Sequence, residues 1–263
     1  MAASKKNELA TTDAKSFDLQ IMEGDAAEAI AEEMDGLGTI PYDRVKMPSG
    51  GSTVFEIPTE DEDNPDVSKE LTGIILYHHP MNTYWAEQYS GNNVPPDCAA
   101  MDGKCGLVKE TGEHRTCETC PHNQFGTGPN GIGKACKNLR RLYILREGNP
   151  IPVVFTLTAT SLKSFKNYLA KSILLRGMRC YDVITKMTLT KDTSTGGITY
   201  SKVQFSMAGK LSEEQRTLTA AMAESLKVAS KSLEASSEDY NISDGGEGFV
   251  DVPSDNGDNL PFK

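Results

Sequence analysis

The chain has 263 residues, a net charge of −10 and six cysteines. That length supports one ordinary core with tails, and the expected division is an acidic arm at 1–38, a core at 39–232 and an acidic tail at 233–263. No apolar run suits a signal peptide or a membrane span of about twenty residues, so secretion and membrane insertion are not expected, and a cytoplasmic location with reduced thiols is.

The negative charge is not evenly spread. Residues 1–36 carry nine acids and three bases, and residues 234–263 carry eight acids and one base, which leaves the segment between them at +3. Within it, residues 134–210 hold fourteen Lys or Arg against Glu147, Asp182 and Asp192. A basic body between acidic ends suits a polyanionic partner better than the overall charge suggests.

Residues 1–16 are small and polar and predict no packed face. Phe17 to Met34 has helical spacing through Leu19, Met22, Ala26, Ala27 and Ile30, stopped by Gly36 and Gly38. Short β pieces follow at Val45–Met47 and Val54–Ile57, then an acidic loop from Thr59 to Ser68, then a buried strand over Leu71–His78 that runs into Tyr84, Trp85 and Tyr89.

Next come five cysteines between Cys98 and Cys136, including the pair Cys117-Glu-Thr-Cys120. A CxxC turn places two thiolates on one metal ion, and one cysteine from each side completes a tetrahedral zinc shell of Cys98, Cys117, Cys120 and Cys136 over the loop 95–137. Cys105 competes with Cys98 for the first position, but it stands in a flexible Gly-Lys-Cys-Gly setting whereas Pro95-Pro96 stiffens the approach to Cys98. His114 and His122 are further coordinating candidates. Four protein ligands leave no open position, so the zinc is expected to be structural and the chain not an enzyme. The nucleobase-deaminase pattern is the nearest catalytic one, but Thr116 stands at its proline and no His-x-Glu precedes it.

Beyond the loop, Leu139–Arg146 predicts a strand with Arg141, Tyr143 and Leu145 on one face and Arg140, Leu142, Ile144 and Arg146 on the other. Val153–Leu157 predicts another, and residues 161–175 a helix capped by Thr160 or Ser161, with Lys163, Lys166 and Lys171 on its flanks. Cys180–Leu189 and Ile198–Met207 predict a hairpin whose second strand slips phase near Ser201-Lys202, as a bulge would cause. Ser212 opens a last helix with Leu211, Leu218, Met222 and Leu226 on its apolar side.

Short strands, one intervening helix, a long insertion and a basic body predict a mainly β, α+β fold: an OB-like barrel with a zinc loop and a C-terminal helix. Such a barrel binds single-stranded nucleic acid with cations on phosphates and aromatic faces on bases. The phosphate candidates are Lys134, Lys137, Arg140, Arg141, Arg146, Lys163 and Lys166, and the aromatic candidates Tyr77, Tyr84, Trp85 and Tyr143.

The residues Asp255, Asp258, Leu260, Pro261 and Phe262, followed by Lys263, resemble the acidic tips of bacterial and phage single-stranded DNA-binding proteins, which close on an Asp-Ile-Pro-Phe element. With the zinc loop and the basic body, the chain resembles a bacteriophage single-stranded DNA-binding protein of the zinc-containing kind. The resemblance implies coating of exposed strands in replication, recombination or repair, and recruitment of partner proteins through the tail. The alternatives are a zinc-ribbon transcription or recombination factor, a protein–protein inhibitor module and, less well supplied with convergent carboxylates, a hydrolase.

Overall fold

The computed structural model describes residues 17–20, 32–36, 42–61, 64–87, 95–194, 197 and 199–230. The tail residues Asp255, Asp258, Leu260, Pro261 and Phe262 and most of the arm 1–38 lie outside them.

Among the described residues, the fold is mainly β sheet, with two α-helices packed on it. Its spine is β4 (Glu70–Tyr84), a 15-residue strand that pairs antiparallel with β8 (Lys137–Leu145) from Ile74 to Thr83. β9 (Val153–Leu157) continues the sheet beyond β8, and β1 (Arg44–Val45) closes that side in parallel with β9. Toward its start, β4 also pairs with β10 (Val183–Thr193), which forms a hairpin with β11 (Thr199–Lys210). Toward its end, β4 pairs with β5 (Cys98–Ala100), which leads through β6 (Cys105–Val108) to β7 (His114–Thr116). A small hairpin of β2 (Phe55–Ile57) and β3 (Asp66–Ser68) forms a second sheet, bridged to the end of β1 through Lys46 and Glu56.

Strand alternation sends the side chains of β4 and β8 into two cores. Leu71, Ile75, Leu142 and Ile144 enter the larger one, with Phe55, Phe155, Met187 and Val203 and with Phe165 and Tyr168 of α1 (Ala159–Tyr168). Ile74, Leu76, Tyr143 and Leu145 enter the second, with Phe17, Ile184, Leu211 and, from α2 (Glu213–Ala229), Leu226. A strand covered on both sides reads as a continuous apolar run, as Gly73-Ile-Ile-Leu and Leu142-Tyr-Ile-Leu do. Gly73 is required there, because a Cβ on it would lie 2.5 Å from the Leu145 carbonyl oxygen.

No ladder joins β11 to β1 among the described residues. Beyond its ladder with β10, β11 is held by single hydrogen bonds: the Ser161 hydroxyl of α1 accepts from the Val203 N–H at 3.0 Å, and the Ser201 hydroxyl donates to the Ser52 carbonyl at 2.7 Å.

Those bonds correct two sequence expectations. Ser161 is a buried seam residue rather than a helix cap; α1 begins at Ala159 after Thr158 and passes through a wider turn, Leu169–Ile173, before ending at Leu174–Arg176. The bulge is also not at Ser201-Lys202. Ser201 faces inward in phase, buried by its bond to Ser52, and the register slips where Ile184 and Thr185 face Gly209 and Met207. The final helix follows the sequence closely, with Ser212 and Gln215 forming a capping box. Within the expected arm helix, Glu32 and Glu33 are helical and Phe17–Gln20 are not; Phe17 packs into the second core and its carbonyl accepts from Gln215 Nε2 at 3.0 Å. Among the described residues, no helix is long and apolar enough to cross a membrane.

Candidate metal and nucleic-acid site

The 95–136 insertion has almost no hydrophobic core of its own. Its buried residues are Pro96, Ala100, Gly106, Cys117, Gly128, Gly133 and Cys136: three glycines, two cysteines and no large aliphatic side chain. A segment that buries so little apolar surface cannot offset its ordering entropy by packing.

What the segment does contain is a cavity of about 20 Å³ lined by Cys98, Cys117, Cys120 and Cys136, together with Asn82, Asn123, Tyr84, His122 and Arg115. The chain brings these four thiols in from three places. Cys98 opens β5 beside Tyr84, and Gly106 makes room for its sulfur, since a Cβ there would stand 2.7 Å from it. The Cys117–Cys120 turn is tied to β6 by the Cys117 N–H donating to the Lys104 carbonyl at 2.7 Å. Asn123 Nδ2 donates to the Cys117 carbonyl at 2.8 Å, and Gln124 Nε2 to the Cys120 carbonyl at 3.3 Å. Cys136 arrives just before β8, its N–H donating to the His122 carbonyl at 2.8 Å.

All six cysteines are free thiols. Burial first, and then neighbouring thiolates, push Cys98 and Cys117 above the usual thiol range and Cys136 up to about 12. Four soft donors that repel one another when ionised are a donor set that a divalent cation satisfies. The sulfurs share the cavity without a finished shell: among the described residues, no three His, Cys, Asp or Glu side chains form a metal-holding group as they stand.

Cys105 is exposed, does not line this cavity, and lies 3.6 Å from Nδ1 of His114. His122 borders the cavity with its ring stacked on Tyr84, centroids 4.1 Å apart.

The residues expected to contact nucleic acid divide by strand face. Arg141 and Tyr143 are not on the surface. They are 1% and 0% exposed, and Tyr143 lies at the heart of the second core with Tyr42 edge-on at 5.7 Å. Burial pushes the Tyr143 hydroxyl up, and the adjacent Arg141 guanidinium partly offsets it. Tyr77 is half-buried against Tyr143 and His79, and Trp85 against Met81 and Leu139. Lys137 and Arg146 are half-buried at the two ends of β8.

On the opposite face, His78, Pro80 and Asn82 of β4, which follow the register shift between Ile75 and Tyr77, and Arg140 and Asn138 of β8 form a lane from α1 to the cysteine cavity. Phe165 of α1 lies 5.1 Å from His78 and 5.9 Å from the Arg140 guanidinium. Pro80, which pairs in register with Arg140, is exposed. Asn138 Nδ2 then donates to Asn82 Oδ1 at 2.7 Å and to Asn123 Oδ1 at 3.0 Å, and Lys134 Nζ donates to Asn138 Oδ1 at 3.0 Å. These asparagines, poor strand formers, lock the insertion onto the sheet and were missed by sequence reasoning.

At the α1 end, Lys163, Lys166, Lys171, Arg176 and Arg179 are all exposed, and no acid occurs between Ala159 and Tyr181. By contrast, Lys186 and Lys202 are paired with Glu70 and Asp192 at 3.2 and 3.3 Å. No family model matches the chain, and no curated protein or solved structure is significantly similar to it.

Proposed function

We propose that this chain binds single-stranded DNA through the lane between α1 and the cysteine insertion, on an OB-like sheet, and that a zinc ion held by Cys98, Cys117, Cys120 and Cys136 keeps the insertion in shape. The observation that carries the strand-binding reading is the segment from Ala159 to Tyr181, which presents five exposed cations and no carboxylate next to the half-buried Arg140 and the exposed Pro80 of the sheet. Cations without acidic partners exchange their counterions for phosphates, and a strand held along them stacks its bases on exposed rings. The cysteine-lined cavity in an insertion lacking an apolar core supports the zinc, which supplies a structural tie and no reaction.

In this account Lys163, Lys166 and Arg140 take phosphates, while Arg141 and Tyr143 act only by shaping the sheet. The acidic tail, net −7 over residues 234–263, competes with DNA for the basic surface and recruits replication or recombination proteins when displaced.

Competition between single-stranded and duplex oligonucleotides, with the full chain and with one lacking residues 234–263, tests both statements. Preference for the single strand is expected from both proteins, with tighter binding by the shorter one at low salt. Preference for duplex would favour a zinc-ribbon DNA factor, and weaker binding by the shorter chain would remove the competing-tail idea.

A further inference from the structure

The geometry points to Phe125 as a stacking platform for an unpaired nucleobase, a role that rests on the single-strand proposal and assigns it a contact that none of the sequence-selected aromatics supplies. Tyr84 is already stacked on His122, while Tyr77 and Trp85 spend their faces on internal packing. Phe125 belongs to no core cluster and is 52% exposed, with Ile132 at 47% nearby in the same insertion. Large apolar side chains grouped on a polar loop are a mark of a contact surface.

The ring is also held and electrostatically prepared. Lys134 Nζ stands 5.1 Å from its centroid, and the ammonium is fixed from the sheet by Asn138 Oδ1 at 3.0 Å and Asn123 Oδ1 at 3.4 Å. A cation on one face leaves the other for a second flat ring. The backbone on either side is tied down: the Gly126 N–H donates to the Gly133 carbonyl at 2.7 Å, Thr127 Oγ1 donates to the Gln124 carbonyl at 2.7 Å, and the same hydroxyl accepts from the Ala135 N–H at 3.1 Å. A platform already ordered loses little entropy on binding. The lane of Asn138, Arg140 and Lys163 carries the phosphates past it, so the ligand chemistry is a base attached to an anionic backbone.

The test uses zinc-loaded full-length protein and its Phe125→Ala, Phe125→Leu and Phe125→Trp variants, titrated with labelled oligo-dT and oligo-U while metal content is measured. Phe125→Ala and Phe125→Leu are expected to lose affinity by on the order of 10- to 100-fold with an unchanged salt slope, because a ring and not a charge has been removed. Phe125→Trp is expected to retain binding and to show emission quenched by the strand beyond that of the parent, whose single tryptophan is Trp85. Equal losses on both oligonucleotides mean a base recognised without regard to the sugar, whereas a loss on one identifies the strand used. Parent-like binding by the Ala and Leu variants overturns the inference while leaving strand binding intact; a parent that ignores both oligonucleotides overturns the two together. Should Phe125→Ala and Phe125→Leu shed zinc, the tryptophan variant decides, and emission unaffected by the strand counts against the platform.

Discussion

Chelation of the metal is expected to open residues 95–136 and leave the two main cores closed. Nothing larger than Cys117, Cys136 and Pro96 is buried within the insertion, and its links to the rest are mostly polar: three residue pairs between β4 and β5, the Asn82–Asn123–Asn138 bonds, the Asn82 Nδ2 bond to the Gly103 carbonyl at 3.0 Å, the Lys134 bond to Asn138, the Ala86 N–H donating to the Asp97 carboxylate and the Tyr84–His122 stack. A ligand that binds only the closed form stabilises it by RT ln(1 + [L]/Kd), so free zinc held about 1,000-fold above its Kd adds about 4 kcal/mol. Native-state hydrogen exchange reads this directly as about a 1,000-fold faster exchange of protected insertion amides, such as those of Cys117 and Cys136, after the chelator is added. Amides of Leu142, Ile144 and Val183 belong to strands whose side chains fill the larger core, and their protection is expected to stay the same. Unchanged exchange in the insertion would refute the metal tie; equal loss in all of these strands would refute the insertion as a separately opening unit.

Three further outcomes follow from named contacts. Ser161→Ala strands the buried Val203 N–H and should cost about 1–3 kcal/mol in denaturant unfolding; an unchanged midpoint would remove that seam from the account. Replacing Lys163 and Lys166, both exposed, with Gln should lower the salt dependence of single-strand binding by about 0.7 per charge in log–log slope without changing thermal stability, and an identical slope would take α1 out of the interface. His78 is held down to about 4, chiefly by burial and then by the Arg140 charge, so the folded state disfavours its protonation. Its contribution to stability is complete above about 6.5 and is lost as pH falls toward about 4; thermal melts of the parent should decline over that window more steeply than those of His78→Asn, and parallel curves would contradict the assignment.

The sequence carried the alternation of β8 correctly, with Arg141 and Tyr143 opposite Arg140 and Leu142. It could not show that both faces are covered. Arg141 looked like a surface cation because arginine usually is one, and only the folded packing of the face it shares with Tyr143, where Tyr42, Tyr77 and His79 gather, places it inside. The same limit misplaced the bulge: an inward Ser201 mimics a phase slip when its partner, Ser52, lies 149 positions away. The cysteine spacing was legible because a CxxC turn is a local geometry, and the structure brings Cys98 rather than Cys105 to the shared cavity. Phe125 had no local signal, since an exposed ring and a buried one look alike until the loop around them is folded.

The most direct test of the central claim is fluorescence anisotropy of labelled oligo-dT titrated with zinc-loaded protein at a series of salt concentrations. Saturable binding at low salt is predicted, with log affinity falling linearly as log salt rises. Protein that holds no zinc and leaves the anisotropy flat at the lowest salt would contradict it.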